Sequence, residues 1–375
     1  MDYTPTKVTS SSHPLQKISG ASGRTHLKRG EKSYFFAGLD VGLHKTAICV
    51  MDESSKILLA QEVASEAEVI ARALKRYDAS QLKLGLETGQ LSIHLTRRLR
   101  QLGYDAVCMD ARQVAAALST VINKTDANDA RGIAHLLRCG LYRSVHVKSE
   151  DAIDKRVLLA SRKQVLGQVA ALESSIRGLC KLYGLRLGPA RRAAFIPRIR
   201  EAMAGMGELA REGIAAQLSA LEALRRSLKQ MDAALKEQTQ HSKQAALLMS
   251  MPGIGPLNAT SFMATLDEAG RFEDSRAVGA YLGLTPRQYS SGETERRGRI
   301  SRCGPTHTRA LLYEAAHCLL HFYKGESQLK TWGKRLAQKK GMKRAIVAVA
   351  RRMAIILHRM LVTGQPYDDS KLKVA

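Results

Sequence analysis

The chain has 375 residues, enough to bury real hydrophobic cores and to divide into two or three domains. With 59 Lys and Arg against 34 Asp and Glu it carries a formal charge of +25. No apolar run has the length of a membrane span and no signal-peptide core is present, so the charge points to a polyanionic partner, nucleic acid foremost. Six cysteines, Cys49, Cys108, Cys139, Cys180, Cys303 and Cys318, lie far apart with no CxxC pair. That spacing argues against a disulfide framework or a cysteine zinc site and fits a reducing cytoplasm.

Residues 1–32 are rich in Ser, Thr, His, Lys and Gly with little to bury, and read as a mobile basic tail. Segments 34–41, 46–51 and 57–63 are short, rich in β-branched or bulky residues and separated by polar turns, the pattern of a three-stranded meander. The pattern then predicts a helix over 66–77, a strand over 82–86, a helix over 93–102, a strand over 106–109 and a helix over 113–118. The order β-β-β-α-β-α-β-α describes a mixed sheet with helices packed on it, which is the order of the ribonuclease H fold. The domain is expected to span residues 33–148.

The stretch KTDANDAR, Lys124 to Arg131, opens the next apolar-periodic segment. Its Asp126 and Asp129 stand three residues apart, on one face of a helix. Asp40 in LDVGLHKT ends the first strand and Glu87 in LETG ends the fourth, so four acids are expected to converge at one end of the sheet. Carboxylates packed together raise one another's pKa, and a divalent cation removes that cost. Hard oxygen donors suit Mg2+ or Mn2+, which can also bind phosphate oxygens and assist phosphoryl transfer. Taken singly, Asp126 also fits a first-turn helix acid behind the N-cap Thr125, and Asp40 a strand-end turn with Gly42. The four in this order favour a site, with Lys124 and Arg131 assigned to nucleic-acid contact.

Residues 149–248 shift to Ala, Leu, Arg, Glu and Gln. Val165, Val169, Leu172, Ile176, Leu179 and Tyr183 follow heptad spacing, as do Ile214, Leu218, Leu221, Leu228, Met231 and Leu235 after an interruption around residues 184–197. Two long amphipathic helices are expected, a coiled-coil linker that either folds back as a hairpin or pairs between subunits.

A second domain, 249–368, opens with MPGIGP. Its Gly253 and Gly255 suit a helix-hairpin-helix turn whose backbone N–H groups hold a phosphate, or simply a tight helix connection. The run YLGLTPRQYSSGETERRGRISRCG follows, with Ser290 and Ser291 before Gly292 among Arg287, Arg296, Arg297, Arg299 and Arg302. A serine needs activation to act as a nucleophile, and arginines can hold a scissile phosphate, while a Ser-Gly turn beside a basic strip is the plainer alternative. Residues 327–360 hold ten Lys or Arg and no acid, among them Lys334, Arg335, Lys343 and Arg344, around the single Trp332. The helix expected over 345–361 pairs an apolar face with Arg351 and Arg352 opposite, a basic face for backbone contacts. His317 and His321 lie four apart on an apolar segment that suits core packing better than metal binding. Residues 369–375 close the chain as a short tail.

Taken together, LDVGLHKT, LETG, KTDANDAR, PGIGP, YLGLTPRQYSSG and GRISRCG resemble the DEDD transposases of the insertion-sequence one-ten family, relatives of the Piv DNA invertase. The resemblance covers about residues 34–367. It implies an RNase H-like (RuvC-like) domain, a helical linker and a mostly helical transposase domain, acting as a DNA recombinase in the bacterial cytoplasm, near the nucleoid. By the family pattern Asp40, Glu87, Asp126 and Asp129 hold Mg2+ and Ser291 is the nucleophile, with Ser290 the second choice. The resemblance further implies a structured bridge RNA that pairs with donor and target double-stranded DNA, and a homo-oligomer, dimer or tetramer, with composite active sites. A RuvC-like nuclease acting by hydrolysis and a non-catalytic nucleic-acid-binding protein are the alternatives.

Overall fold

The computed structural model describes residues 34–119, 123–187, 192–291 and 294–371, so the expected tail over 1–32 lies outside the described residues. The chain divides into two compact units, residues 1–147 and 148–375.

The first unit is built on a five-stranded mixed sheet of order β3-β2-β1-β4-β5, with strands β1 (Phe35–Val41), β2 (Lys45–Asp52), β3 (Ile57–Ala64), β4 (Leu82–Glu87) and β5 (Asp105–Met109). The first three form the expected antiparallel meander, while β4 runs parallel to β1 and β5 parallel to β4. Period-two alternation sorts the side chains to two faces. Ala37, Leu39, Ile48, Val50, Leu84 and Leu86 meet α1 (Ala67–Leu74) and α2 (Ser92–Gln101) on one side. On the other, Ala47, Cys49 and Met51 meet Ala130 and Ala134 of α4 (Asp126–Arg138), and Val107 and Met109 meet Ile133 and Leu137 of α4 and Val114 of α3 (Ala111–Leu118). The first helix ends at Leu74, short of the expected 77, where Lys75 N donates to Arg72 O and closes its last turn.

In the second unit α5 (Glu150–Lys181) and α7 (Glu208–Gln240) pack on each other within one chain through Val169, Ile176, Ile214, Leu218 and Leu221. The ion pairs Arg162–Asp232 at 2.6 Å and Arg225–Glu173 at 2.7 Å fix an antiparallel hairpin, the first of the two arrangements the heptads allowed. Tyr183 stands beyond the end of α5, 46 % exposed, and is not part of the seam. The interruption holds a helix of its own, α6 (Arg192–Ala202), with Pro197 inside it. Phe195 of α6 is buried against the hairpin, with the Arg177 guanidinium 4.6 Å from its ring centre, which anchors this helix to α5.

The remaining elements, α8 (Lys243–Met249), α9 (Pro256–Leu266), α10 (Ser275–Tyr281), α11 (Thr306–His321), α12 (Gln328–Lys340) and α13 (Met342–Thr363), share one large core around Phe262, Leu312, Leu319, Val349 and Met353. Leu159 of α5, Leu235 of α7 and Ala264 of α9 form a cluster that joins the long helices to it. Lys148, buried where α5 begins, donates to the carbonyls of Thr265 and Leu266, and burial lowers its pKa to about 8. Asp267, in the left-handed region at φ 65°, accepts from Ser149 N at 2.8 Å and so ties the start of α5 to the end of α9. A two-stranded antiparallel hairpin, β6 (Pro286–Ser291) and β7 (Thr294–Ile300), interrupts the helices where no strand was expected.

Candidate active site

The acid site follows from strand register. Because β1 and β4 are parallel with Leu39 opposite Leu86, the next residues of each, Asp40 and Glu87, emerge side by side at the carboxyl end of the sheet. Thr88 holds that end in place. Its hydroxyl donates to Met109 O at 3.0 Å and accepts from Ala111 N at 3.0 Å, fastening β4 to the β5–α3 turn.

Gly38 brings the second pair of acids. It lies on the same face of β1 as Asp40, and an added Cβ would sit 2.0 Å from Ala130 O and 2.4 Å from Ala134 N. Only a glycine lets the α4 backbone lie directly on the strand. The amino end of α4, carrying Asp126 and Asp129, is thereby brought to Asp40. Thr125 caps this helix by accepting from Asn128 N at 3.2 Å, so capping and clustering coexist at the same turn.

The electrostatics report the convergence. Burial, then the charges of Asp126, Asp129 and Glu87, push the Asp40 carboxyl up to about 6, with Lys124 alone opposing them. Glu87 is likewise raised, by burial first and by Asp129, and again Lys124 opposes. The four acids and Lys124 thus share one neighbourhood. Arg131 stands one turn further along the helix, where its charge acts on Cys49 and His135 instead.

Among the described residues, no group of three or more His, Cys, Asp or Glu is drawn together tightly enough to cage an ion. The donor chemistry nevertheless fits a hard divalent cation, since the charges of three further carboxylates act on Asp40 with one lysine to offset them. Mg2+ keeps several waters and typically takes one or two carboxylates plus substrate phosphates, which an open cluster can supply.

The serine motif lies on the unexpected hairpin. Ser291 is exposed at the end of β6, opposite Thr294, and Ser290 is opposite Glu295; Gly292 lies outside the described residues. Strand alternation places Arg287, Tyr289 and Ser291 on one face, with Arg296 directly across from Tyr289 and Arg297 across from Gln288. Arg287 donates to Ser301 O at 3.3 Å, and Arg296, Arg299 and Arg302 are exposed. The hairpin base is firmly seated. Gly283 and Gly304, at φ 67° and 80°, leave room for Cys303 O and Tyr281 O, which would stand 2.2 and 2.1 Å from added Cβ atoms. Arg309, which sequence reasoning missed, donates to Leu282 O and Cys303 O at 3.0 and 3.1 Å. Nothing in its spacing marks it, since its role is to bind two carbonyls distant in sequence.

The other basic positions divide. Lys334, Arg335, Lys343 and Arg344 are exposed on α12 and the start of α13. Arg351 instead packs over Gly279, and Arg352 lies over the Trp332 ring at 5.7 Å, so both are partly covered within their own unit. Gly253 and Gly255 do form the turn between α8 and α9. Gly253 is at φ 86°, and an added Cβ would meet Ala315 O at 2.8 Å, so this glycine serves helix packing. His317 and His321 stack at 4.2 Å on the outer face of α11, not in its core, because the next residues toward the core face are Leu319 and Leu320. All six cysteines are unpaired, and no helix among the described residues is long and apolar enough to cross a membrane.

Two family models match the chain. A transposase model of the IS110 DEDD type matches residues 37–184, and the model described as Transposase IS116/IS110/IS902 family matches residues 245–331. The chain is similar to the transposase for insertion sequence element IS1111A of Coxiella burnetii, 29 % identical over 91 % of this chain and 93 % of that protein. It is also 29 % identical to a Pseudomonas aeruginosa protein named "Probable family 20 transposase", over 71 % of this chain and 79 % of that one. The class these findings define is the DNA transposase, an enzyme whose partner is DNA. The chain carries both IS110-type transposase domains of insertion-sequence DEDD transposases.

Proposed function

We propose that this transposase cuts and rejoins DNA through a covalent serine–DNA intermediate, with Asp40, Glu87, Asp126 and Asp129 acting as one cation-holding group on an RNase H-like sheet. The observation that carries the reading is the strand register that sets Asp40 beside Glu87 and the close contact at Gly38 that brings the Asp126–Asp129 helix to them, with Asp40 raised to about 6 by burial first and then by the charges of the other three acids. Such mutual repulsion is costly to a fold and is retained where a bound cation or a reaction uses it. When bound there, Mg2+ or Mn2+ would supply positive charge for phosphate oxygens and lower the pKa of an attacking hydroxyl.

The remaining roles belong to the chain's own side chains. The Ser291 hydroxyl attacks a DNA phosphorus; a serine–phosphate bond forms, the bond to one DNA oxygen breaks, and the serine's proton ends on that departing oxygen as a DNA hydroxyl. A hydroxyl from the other duplex then reverses the exchange, so the phosphodiester energy is conserved and no nucleotide cofactor is consumed. Exposed Arg296 and Arg299 hold the phosphate and meet the charge that develops on it. Because the acids and the serine belong to different units of the chain, a composite site assembled from two subunits is part of the proposal. A structured guide RNA, held through its backbone by the surplus of positive charge, is the remaining partner.

The test is covalent trapping. Purified protein with Mg2+, guide RNA and labelled donor and target DNA is run on a denaturing gel beside Ser291→Ala. A protein–DNA adduct that disappears in the variant is expected. Free cleaved DNA without an adduct, unchanged by Ser291→Ala, means hydrolysis by water and removes the serine from the mechanism.

A further inference from the structure

The helix α13 and the segment after it border a cleft of about 760 Å³ that the acids and the serine do not use. It is lined by apolar side chains, Ile355, Ile356 and Met360, and by three arginines, Arg276 of α10 with Arg352 and Arg359 of α13. Asp368 is the one acid among the lining residues, and its carboxylate already accepts from Ser370 N at 3.0 Å and Ser370 Oγ at 2.6 Å. The Tyr367 ring also lines the cleft. Its hydroxyl is fixed by Asp369 at 2.6 Å, so the ring is held in place.

Arg352 is held over the Trp332 ring, but Arg276 and Arg359 are exposed and, against one engaged carboxylate, select an anion, while the apolar lining with a fixed aromatic ring selects something flat and poorly hydrated attached to it. A nucleotide joins the two properties, and the volume is within the range of clefts that enclose molecules of that size. A duplex can reach the arginines with its phosphates but keeps its bases stacked inside, so it cannot fill the apolar part.

We propose that this cleft binds one unpaired nucleotide of a single-stranded segment, with its base against Ile355, Ile356 and Tyr367 and its phosphate against Arg276 and Arg359. The inference rests on the functional reading only for nucleic acid as partner. Binding is measured without cleavage, so its failure is distinct from failure of the serine mechanism. The chemistry is shared by single-stranded RNA and DNA, and the experiment separates them.

Full-length protein is titrated with fluorescein-labelled single-stranded RNA, single-stranded DNA and a blunt duplex of the same length. Thr363→Trp fills the cleft without changing charge. It is expected to weaken single-strand binding about tenfold, as loss of a base stack does, and duplex binding by less than about twofold. Whichever strand type loses more identifies the source of the nucleotide. Arg359→Glu is compared with Arg211→Glu, another exposed arginine on α7, by the same ratio of single-strand to duplex affinity. Only Arg359→Glu is expected to lower that ratio. Parallel loss of single-strand and duplex binding in both cleft variants, or no loss in either, overturns the proposal and leaves a general basic surface.

Discussion

The two places where chemistry is proposed are held by opposite kinds of structure. Asp40 and Glu87 end buried parallel strands, and the helix bearing Asp126 and Asp129 lies so close to β1 that its backbone occupies the space of a missing side chain at Gly38. Ser291 instead ends a two-stranded hairpin whose described side chains, Ile300 apart, face solvent, seated at its base by Gly283, Gly304 and Arg309. Four like charges need a scaffold that forbids them to move apart, because each would lower its energy by doing so. A nucleophile that must meet a strand of DNA gains from exposure, and its precise placement can be left to the substrate.

That contrast can be broken at several points. The largest effect is expected at the acids: Asp129→Asn or Asp126→Ala lowers DNA cleavage about a thousandfold, measured in single-turnover assays, with the melting temperature not reduced. Next comes Gly38→Val, whose side chain has no space against Ala130 O at 2.0 Å. It should destabilise the first unit by roughly 3 kcal/mol or more, read as a lower urea midpoint, while Gly298→Val in the hairpin, where an added Cβ meets nothing nearer than the Tyr289 ring at 3.6 Å, should change it by less than about 0.5 kcal/mol. Equal losses at the two glycines would remove the distinction between the regions.

Asp40 gives a prediction of opposite sign. Its folded pKa of about 6 exceeds the ordinary value of 3.8, so between those values the folded state holds a proton that the unfolded state has released. Stability therefore falls as pH rises through that window, and ionised Asp40 costs on the order of 1–3 kcal/mol at neutral pH. Asp40→Asn should stabilise the protein at neutral pH while abolishing cleavage, and the gain should fade below pH 3.8; denaturation at two pH values checks it. The smallest effect is at Thr88→Val, which removes two hydrogen bonds beside Glu87 and should cost about 1–2 kcal/mol, with a partial loss of cleavage rather than its abolition.

Much of the first unit was legible because its strands are short apolar runs between polar turns, and a period of two survives in Ala37–Leu39 and Ile48–Val50. The spacing of Asp126 and Asp129 was legible for the same reason, a helix period read from a few residues. Gly38 was not, since its meaning depends on a helix some ninety residues later, a separation that local periodicity does not record. The hairpin escaped because PRQYSS and TERRGRI carry no alternating apolar residues; among the described side chains Ile300 alone packs toward the core, so the strands are set by pairing and by the seat at Gly283 and Gly304. The inward packing of Arg351 and Arg352 was likewise hidden, as their covers, Gly279 and Trp332, come from other helices. Chemistry carried by local spacing was readable, whereas chemistry carried by close approach was not.

The most direct measurement is a Mn2+ titration of the full-length protein by calorimetry, for the wild type, Asp40→Asn, Asp129→Asn and Ser291→Ala. If the four acids act as one cation-holding group, both carboxylate variants lose about tenfold or more in affinity, and the wild type weakens as pH falls below about 6 and protons compete for Asp40. Ser291→Ala should bind as the wild type does. Equal Mn2+ affinity in all four proteins would contradict the account, because the acids would then be repelling one another without holding anything between them.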